Sequence, residues 1–332
     1  MYFSIIIPVY NRPDEMEELL NSLEQQTYPA SFEVVVVEDG STIKSDEVIH
    51  RHSQKLRISY YNKENSGPGD SRNFGMQHAK GSYFIIFDSD CIVPKQYLSE
   101  VQMALENGYV DFFGGPDKAL DSFSDIQKAI NFSMTSFLTT GGVRGGSEKV
   151  NKFQPRSFNM GISKSAFVAS GGFGDIHPGE DPDLTIRLWE LGFSSKLIPE
   201  AFVYHKRRID WDKFAIQTMK FGKARPILNS WYPNYQKLTY FFPSMFLIGF
   251  YLSLFLLLFA QDLLFKLFCV YFLTIFILSS VQNRSIVIGF FSIVATWIQF
   301  KNYGFGFMNS LFKISILKKK PQEAFPELFF RK

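Results

Sequence analysis

The sequence predicts an α/β fold, a doubly wound and mostly parallel sheet, followed by C-terminal helices apolar enough to enter a membrane. Three observations carry this. Short runs rich in β-branched residues alternate with helical patterns over the first ninety residues. Polar residues follow the first, second and fourth of those runs. Two long stretches near the C-terminus are almost free of charge. Strands buried on both faces and separated by helices belong to parallel βαβ units.

The elements follow in order. Phe3–Val9 is a buried strand, and Asp14–Gln26 carries Met16, Leu19, Leu20 and Leu23 at helical spacing behind Asp14, a residue suited to a helix start. Phe32–Glu38 holds four consecutive valines and is a second buried strand. A short helix over Ser45–Gln54, a strand over Leu56–Asn62, a helix over Gly69–Ala79 and a strand over Tyr83–Asp88 complete the rhythm. In such sheets ligands bind beyond the carboxyl ends of the strands. Those ends read Tyr10-Asn11-Arg12, Glu38-Asp39-Gly40-Ser41 and Asp88-Ser89-Asp90. Pro116 to Arg156 is irregular and contains the glycine-rich piece Gly141–Gly146; Asn159–Phe202 is again mixed α/β. The expected division is a soluble domain over 1–237, in two halves that meet at about 115–116, then membrane helices over 238–300 and a basic tail over 301–332.

Charge excludes some classes. A formal net charge of +3 over 332 residues argues against a nucleic-acid binder. Cys91 and Cys269 lie far apart in unlike contexts, so a disulfide framework is not expected. Ser4–Val9 lacks the basic leader and cleavage site of a signal peptide.

Each candidate has a plainer alternative. Asp88-Ser89-Asp90 places two carboxylates at a strand end, where they can hold a hard cation such as Mg²⁺ or Mn²⁺ with places left for diphosphate oxygens; alone, such a pair also caps turns. Asp39 can accept a base N–H or a ribose hydroxyl, or cap an Asp-Gly turn. Gly67-Pro68-Gly69 opens a helix that presents Arg72, a combination suited to a diphosphate. Glu180-Asp181 precedes a helix, where acidic residues are stabilising in any case; a catalytic reading needs one carboxylate aimed into the crevice as general base. His205 closes the run Phe202-Val203-Tyr204 and reads either as a metal ligand or as a half-buried histidine at a strand end.

Ser4-Ile5-Ile6-Ile7-Pro8-Val9-Tyr10-Asn11-Arg12, Val36-Val37-Glu38-Asp39-Gly40-Ser41, Ser71-Arg72-Asn73, Asp88-Ser89-Asp90 and Gly179-Glu180-Asp181 occur in the order and spacing of family 2 glycosyltransferases. The resemblance covers roughly residues 3–205. It implies a GT-A fold, an inverting single displacement and a nucleoside-diphosphate sugar donor, most often a UDP-sugar. It implies further that Pro8, Tyr10, Arg12, Asp39, Arg72, Asp88 and Ser89 form the nucleotide-sugar site. By the same likeness Asp90, Asp88 and His205 hold a divalent metal, Mn²⁺ or Mg²⁺, and Asp181 is the base with Glu180 beside it. Glu38 stands where the family usually has Asp. The Gln-x-x-Arg-Trp motif of processive synthases is absent after Asp181.

Thr239–Ala260 is uncharged over 22 residues, and Leu263–Val281 is interrupted only by Lys266. Each is long enough to cross a hydrocarbon core of about 30 Å. Lys206–Lys237 carries eight Lys/Arg against two Asp/Glu, and Lys301–Lys332 seven against two. By the positive-inside tendency both flanks face the cytoplasm, so the number of crossings is even. Ser285–Phe300 would reach only about 24 Å and is expected to be embedded or interfacial, with Tyr303–Leu317 a separate basic surface helix. The expected place is an inner membrane with the catalytic domain cytoplasmic, acting on a glycan or lipid-linked acceptor. The rivals are a sugar-nucleotidyltransferase, which needs a glycine-rich basic loop after the first strand that Tyr10–Asp14 is not, and an inactive membrane-tethered binding protein, which would have lost part of the set Asp39, Asp88, Asp90 and Asp181.

Overall fold

The computed structural model describes residues 1–120, 122–141, 153–206 and 210–330. Most of the glycine-rich piece Gly141–Gly146 lies outside the described residues. Among the described residues ten strands run β1 Phe3–Val9, β2 Glu33–Asp39, β3 Ile58–Lys63, β4 Tyr83–Phe87, β5 Cys91–Ile92, β6 Phe112–Gly114, β7 Asp117–Lys118, β8 Asn159–Ser163, β9 Ser195–Leu197 and β10 Val203–His205. The helices that matter are α1 Pro13–Glu24, α2 Asp46–His52, α3 Pro68–His78, α4 Tyr97–Glu106, α5 Asp125–Thr135, α6 Phe137–Thr140, α7 Lys164–Ser170, α8 Glu180–Glu190, α9 Trp211–Trp231, α10 Phe242–Leu257, α11 Leu263–Asn283 and α12 Ile286–Leu311.

Two compact units form. The first comprises Met1–Lys118, Gly146–His205 and Phe329–Lys332. Its seven-stranded sheet has the order β3-β2-β1-β4-β8-β6-β9, parallel except where β8 runs against β4 and β6. β1 and β2 are buried along their whole length, which is why they read as unbroken apolar runs rather than alternating ones. α1 buries Met16, Leu19, Leu20 and Leu23 on one face of the sheet, each side chain contributing roughly 1.5–3 kcal/mol of apolar burial. α3 covers the other face and comes close because Gly75 lacks a side chain: a Cβ there would stand 2.8 Å from Ile6 Cγ2. A second sheet, β5-β10-β7, is small. It seats β10 between a strand that follows Asp90 and one that follows Gly114, so the end of β10 meets the turn after β4.

The second unit, Ala119–Gly145 and Lys206–Leu328, is helical. α9 packs along α12, and the two backbones approach where Gly222 faces Tyr303 and Gly306 faces Met219. Phe214 of α9 joins Ile130 and Met134 of α5 and Ala295 of α12 in one buried cluster. Lys206–Lys237 is therefore part of this helical body, and the expected cut at Lys237 falls inside it. The last described residues also differ from expectation: Phe329 and Phe330 belong to the first unit rather than to a free basic tail.

Three helical stretches are long and apolar enough to cross a membrane: Leu238–Leu257, Leu263–Asn283 and Ile286–Ile316, with mean hydropathies of 1.8, 2.2 and 1.2. The third corrects the sequence reading. Instead of an embedded Ser285–Phe300 and a separate surface helix over Tyr303–Leu317, one helix runs from Ile286 to Leu311 and passes into a π-helical turn over Phe312–Ile316. Ser285 caps its start, its hydroxyl accepting from Ile288 N at 3.3 Å. Lys301 and Asn302 contain neither proline nor glycine, so the charge that ended the apolar count does not end the helix.

Candidate active site

The carboxyl ends of β1 and β2 are tied together by Asn11, which adopts φ 54° in the left-handed region that asparagine tolerates. Its Oδ1 accepts from the amides of Thr42 and Ile43, both at 2.8 Å, and its own amide donates to Ser41 Oγ at 2.8 Å. Pro8 is buried in β1, whereas Tyr10, just beyond, is 51 % exposed at the crevice. Arg12 donates to Glu15 at 2.5 Å and reaches Asp90 Oδ2 at 3.5 Å.

Asp39 is buried and held by neighbouring residues of its own chain. Its Oδ1 accepts from Lys63 Nζ at 2.7 Å and Ser66 N at 3.0 Å, and its Oδ2 from Gly67 N at 3.0 Å. Glu38, on the opposite side of the strand, accepts from Tyr60 Oη at 2.8 Å and Ser45 N at 3.1 Å. The Glu for Asp change at this position thus serves the loop before α2.

Arg72 is the structural centre. It is 2 % exposed, donating from Nη2 to Asp88 Oδ1 at 2.7 Å and from Nη1 to Glu180 Oε1 at 3.1 Å, with the Phe173 ring 5.3 Å from its guanidinium carbon. Burial by itself would lower its pKa, and the charges of Asp88 and Glu180 outweigh that and raise it. Glu180 is also bonded to His177 Nδ1 at 2.9 Å and to Gly179 N at 3.0 Å. Burial would push its carboxyl up, but His177 and Arg72 hold it down to about 2. His177 in turn is raised: burial opposes its charge and Glu180 more than restores it.

Asp181 differs from its neighbour. Burial and then the negative charge of Glu180 raise its pKa, with Arg156 Nη1 4.0 Å from Oδ2 as a partial counterweight. A carboxylate of raised pKa beside one held ionised is the pattern by which sites separate acid–base from electrostatic roles.

The turn after β4 carries a third group of ligands. Asp90 Oδ1 lies 3.1 Å from His205 Nε2. β5 and β10 pair antiparallel with Cys91 directly opposite His205, so their side chains share one face. Ligand atoms of Asp90, Cys91 and His205 all lie within 4.8 Å of one another. An oxygen, an imidazole nitrogen and a thiol in that space could hold a divalent cation. Phe158 stacks on His205 at 4.5 Å and fixes the ring. Asp88 stands apart from this trio, engaged with Arg72, and Ser89 is buried between the two carboxylates.

The sequence candidates thus fall into two clusters, Arg72–Asp88–Glu180–Asp181 and Arg12–Asp90–His205, with Asp39 enclosed nearby. His177, Arg156, Lys63 and Cys91 were missed as site residues. Position offered a signal only for His177, three residues before Glu180, and for Cys91, next to Asp90; Arg156 and Lys63 arrive through tertiary folding.

The family model described as "Glycosyl transferase family 2" matches residues 4–168. The poly(ribitol-phosphate) beta-N-acetylglucosaminyltransferase TarS of Staphylococcus aureus is 35% identical over 114 residues, 33% of this chain and 20% of TarS. Glycosyltransferase AglE of Haloferax volcanii is 33% identical over 118 residues, 34% of this chain and 38% of that protein. The chain therefore matches only a fifth to two fifths of these relatives' lengths. Among solved structures, S. aureus TarS 1-349 in complex with UDP-GlcNAc superposes with a TM-score of 0.50 at 20% identity, covering 66% of both chains. A mannosyltransferase from Pyrobaculum calidifontis in complex with GDP-Man and Mn²⁺ gives 0.53 at 18% identity, covering 67% of this chain and 62% of that one. These likenesses show the fold, GT-A-like.

Proposed function

The chain carries a glycosyltransferase family 2 domain, and from that premise we propose that it transfers a sugar from a nucleoside-diphosphate sugar, of the UDP class, to a hydroxyl of a glycan or lipid-linked acceptor at a membrane. The observation that carries this reading is the gathering of Asp88, Asp90, Asp181 and His205 from three distant stretches at one end of the sheet. The UDP-GlcNAc seen with the structural neighbour TarS supports the donor class.

In this reading Asp90 and His205 hold a divalent cation, which when bound offsets charge on the leaving diphosphate. Cys91 borders it. Tyr10 and Pro8 flank the nucleoside, and Asp39 shapes its pocket through the Ser66-Gly67 backbone. Arg72 braces Asp88 and Glu180 from below, because both ends of its guanidinium are already bonded to carboxylates. Arg12, 34 % exposed at its side chain, is the cation at the crevice edge beside Asp90. Asp181 takes the proton of the acceptor hydroxyl as that oxygen attacks the anomeric carbon from the face opposite the leaving group. A single displacement inverts the configuration.

We further propose that the chain is anchored with both units' polar parts on the cytoplasmic side. Phe329 and Phe330 share the first unit with the amino-terminal sheet, so the chain between His205 and Phe329 crosses any bilayer an even number of times. Three stretches are long enough, so one does not cross; the third, least apolar and interrupted by Lys301 and Lys313, is the natural exception. Donor hydrolysis by the purified full-length protein, screened over nucleoside-diphosphate sugars with and without Mn²⁺, tests the proposal. Release of no nucleoside diphosphate from any donor, in the presence of metal and membrane extract as acceptor source, would sink it.

A further inference from the structure

The end of the described chain returns to the acidic cluster. Phe329 forms an antiparallel bridge with Ile176, and the amide of Phe330 donates to Asp175 O at 3.2 Å. The Phe330 ring lies 5.8 Å from the His177 ring and covers Gly67, the residue that caps α3 with φ 94°. A Cβ at Gly67 would stand 2.3 Å from Phe330 Cδ2 and clash with that ring. Gly67 gives its amide to Asp39, and His177 gives its ring nitrogen to Glu180. The ring is therefore a wedge between the loop before α3 and the loop Asp175–Gly179 before α8.

The second loop buries Ile176 and turns a more exposed side outward. His177 is 38 % exposed at its side chain, and Asp175 and Gly174 are not buried. Gly69, at the start of α3, lies against Phe173, Gly174 and Glu180, which fixes the inner side. The Ile176–Phe329 bridge, to which the Phe330 amide bond belongs, and the Phe330 ring lie against this outer side. These residues lie about 150 positions from the loop they brace, at the point where the helical unit's chain re-enters the first unit.

We infer that Phe329–Phe330 is a strap that positions the catalytic carboxylates: by bracing Asp175–Gly179 it holds His177 on Glu180 and so fixes the first turn of α8, which bears Asp181. This rests on the reading of Asp181 as the base. Phe330 itself touches no carboxylate; its effect is carried by His177. A misplacement of about 1 Å at a reacting group can cost on the order of a hundredfold in rate, so a loosened first turn lowers turnover, and the Ser66-Gly67 loop, which the same ring covers, loosens with it.

The test uses the full-length protein with Phe330→Ala and, as the conservative partner, Phe330→Tyr. Amide hydrogen exchange is followed in the segment 174–182, together with kcat and KM for donor hydrolysis. The expected result for Phe330→Ala is faster exchange in that segment and at Ser66–Gly67, kcat lower by roughly tenfold or more, a smaller change in donor KM than in kcat, and recovery of both readouts in Phe330→Tyr. Unchanged exchange overturns the strap. Faster exchange with unchanged kcat overturns the positioning role; if Asp181→Asn measured alongside also keeps its kcat, the fault lies with the base assignment rather than with the bracing.

Discussion

Arg72 and Glu180, 108 positions apart in the chain, meet in a buried pair at 3.1 Å that joins the start of α3 to the start of α8. The pair welds the half of the sheet built from β1 to β4 to the segment that supplies the candidate base. Its surroundings decide its worth. Removing one partner of a buried pair leaves an uncompensated charge and costs about 3–5 kcal/mol.

Arg72→Leu is therefore expected to lower the thermal midpoint of the first unit substantially, since it strands both Asp88 and Glu180. Arg72→Lys should not rescue it, because an ammonium cannot reach two carboxylates from the planar fork that now serves them. Thermal unfolding followed by circular dichroism in detergent measures both. A midpoint for Arg72→Lys equal to that of the parent would contradict the bracing role.

The same pair sets a pH dependence. Glu180 has its folded pKa depressed to about 2 from an ordinary 4.5, so its contribution to stability is complete above about pH 4.5 and is lost as pH falls toward 2. Asp181, raised in the fold, acts in the opposite sense, its ionisation being resisted more in the native state than in the unfolded one. Glu180→Gln should flatten the acid limb of stability below pH 4.5, which urea titrations at several pH values will reveal. An acid limb identical to that of the parent would show that the pair contributes nothing.

How much of this was legible in the sequence depends on the distance over which each feature is set. β1, β2 and β4 are buried on both faces, so burial wrote itself into them as unbroken apolar runs, and their polar ends followed. Asp90 and His205 could each be singled out from a strand end, but their meeting depends on the small sheet β5-β10-β7, whose strands of two or three residues leave no periodic trace. Arg72 was singled out for its charge at a helix start, yet its engagement with two carboxylates is a tertiary fact. The length of α12 was misread because Lys301 interrupts hydropathy without interrupting a helix. Nothing local marks Phe330 as a partner of Gly67.

Metal binding gives a further outcome. Asp90→Ala and His205→Ala should each weaken Mn²⁺ binding, read by the electron paramagnetic resonance of the free ion, by at least tenfold, the scale at which loss of a ligand or its support is felt. Asp88→Asn should weaken it less, because Asp88 is held by Arg72 rather than by the Asp90–His205 pair. Equal losses for all three would mean that Asp88 swings to the ion when it binds.

The division of the chain can be tested by truncation. α9 buries Phe214, Ala224, Ile227 and Leu228, and its Gly222 lies against the backbone of α12. A chain ending at Lys237 keeps α9 and loses α12, so it is expected to be insoluble or detergent-dependent even though it retains the residues proposed for the donor. Gly306→Val in the full-length protein should perturb the same contact, because a side chain there meets Met219 O. A soluble, monomeric 1–237 fragment with a native circular dichroism spectrum would refute this packing as the source of its stability.

Asp181→Asn separates catalysis from capping. Asp181 is the second residue of α8, and the cap position is Gly179, which makes no side-chain cap bond. The amide of Gly179 is taken by Glu180 Oε2 instead. Asp181 bonds to its own amide in the first turn, a contact that asparagine can keep through its carbonyl oxygen, and its charge adds a helix-dipole interaction of about 0.3–1 kcal/mol. Asparagine preserves the shape but cannot accept a proton, so turnover should fall by about 10²–10⁴, with UDP affinity within a few-fold and the thermal midpoint nearly unchanged. The parent enzyme should show a matching acid limb: burial and the charge of Glu180 raise the pKa of Asp181, so it becomes competent as a base only at a higher pH than an ordinary aspartate, and kcat rises with pH through that pKa. Loss of that limb in the residual activity of Asp181→Asn identifies the titrating group. If turnover instead stays within a few-fold of the parent, Asp181 is not the base, and Asp183 is excluded with it by its bond to Arg187 at 2.7 Å, leaving Glu180, held ionised near pH 2 and already bonded to Arg72 and His177, as a far weaker acceptor of the proton.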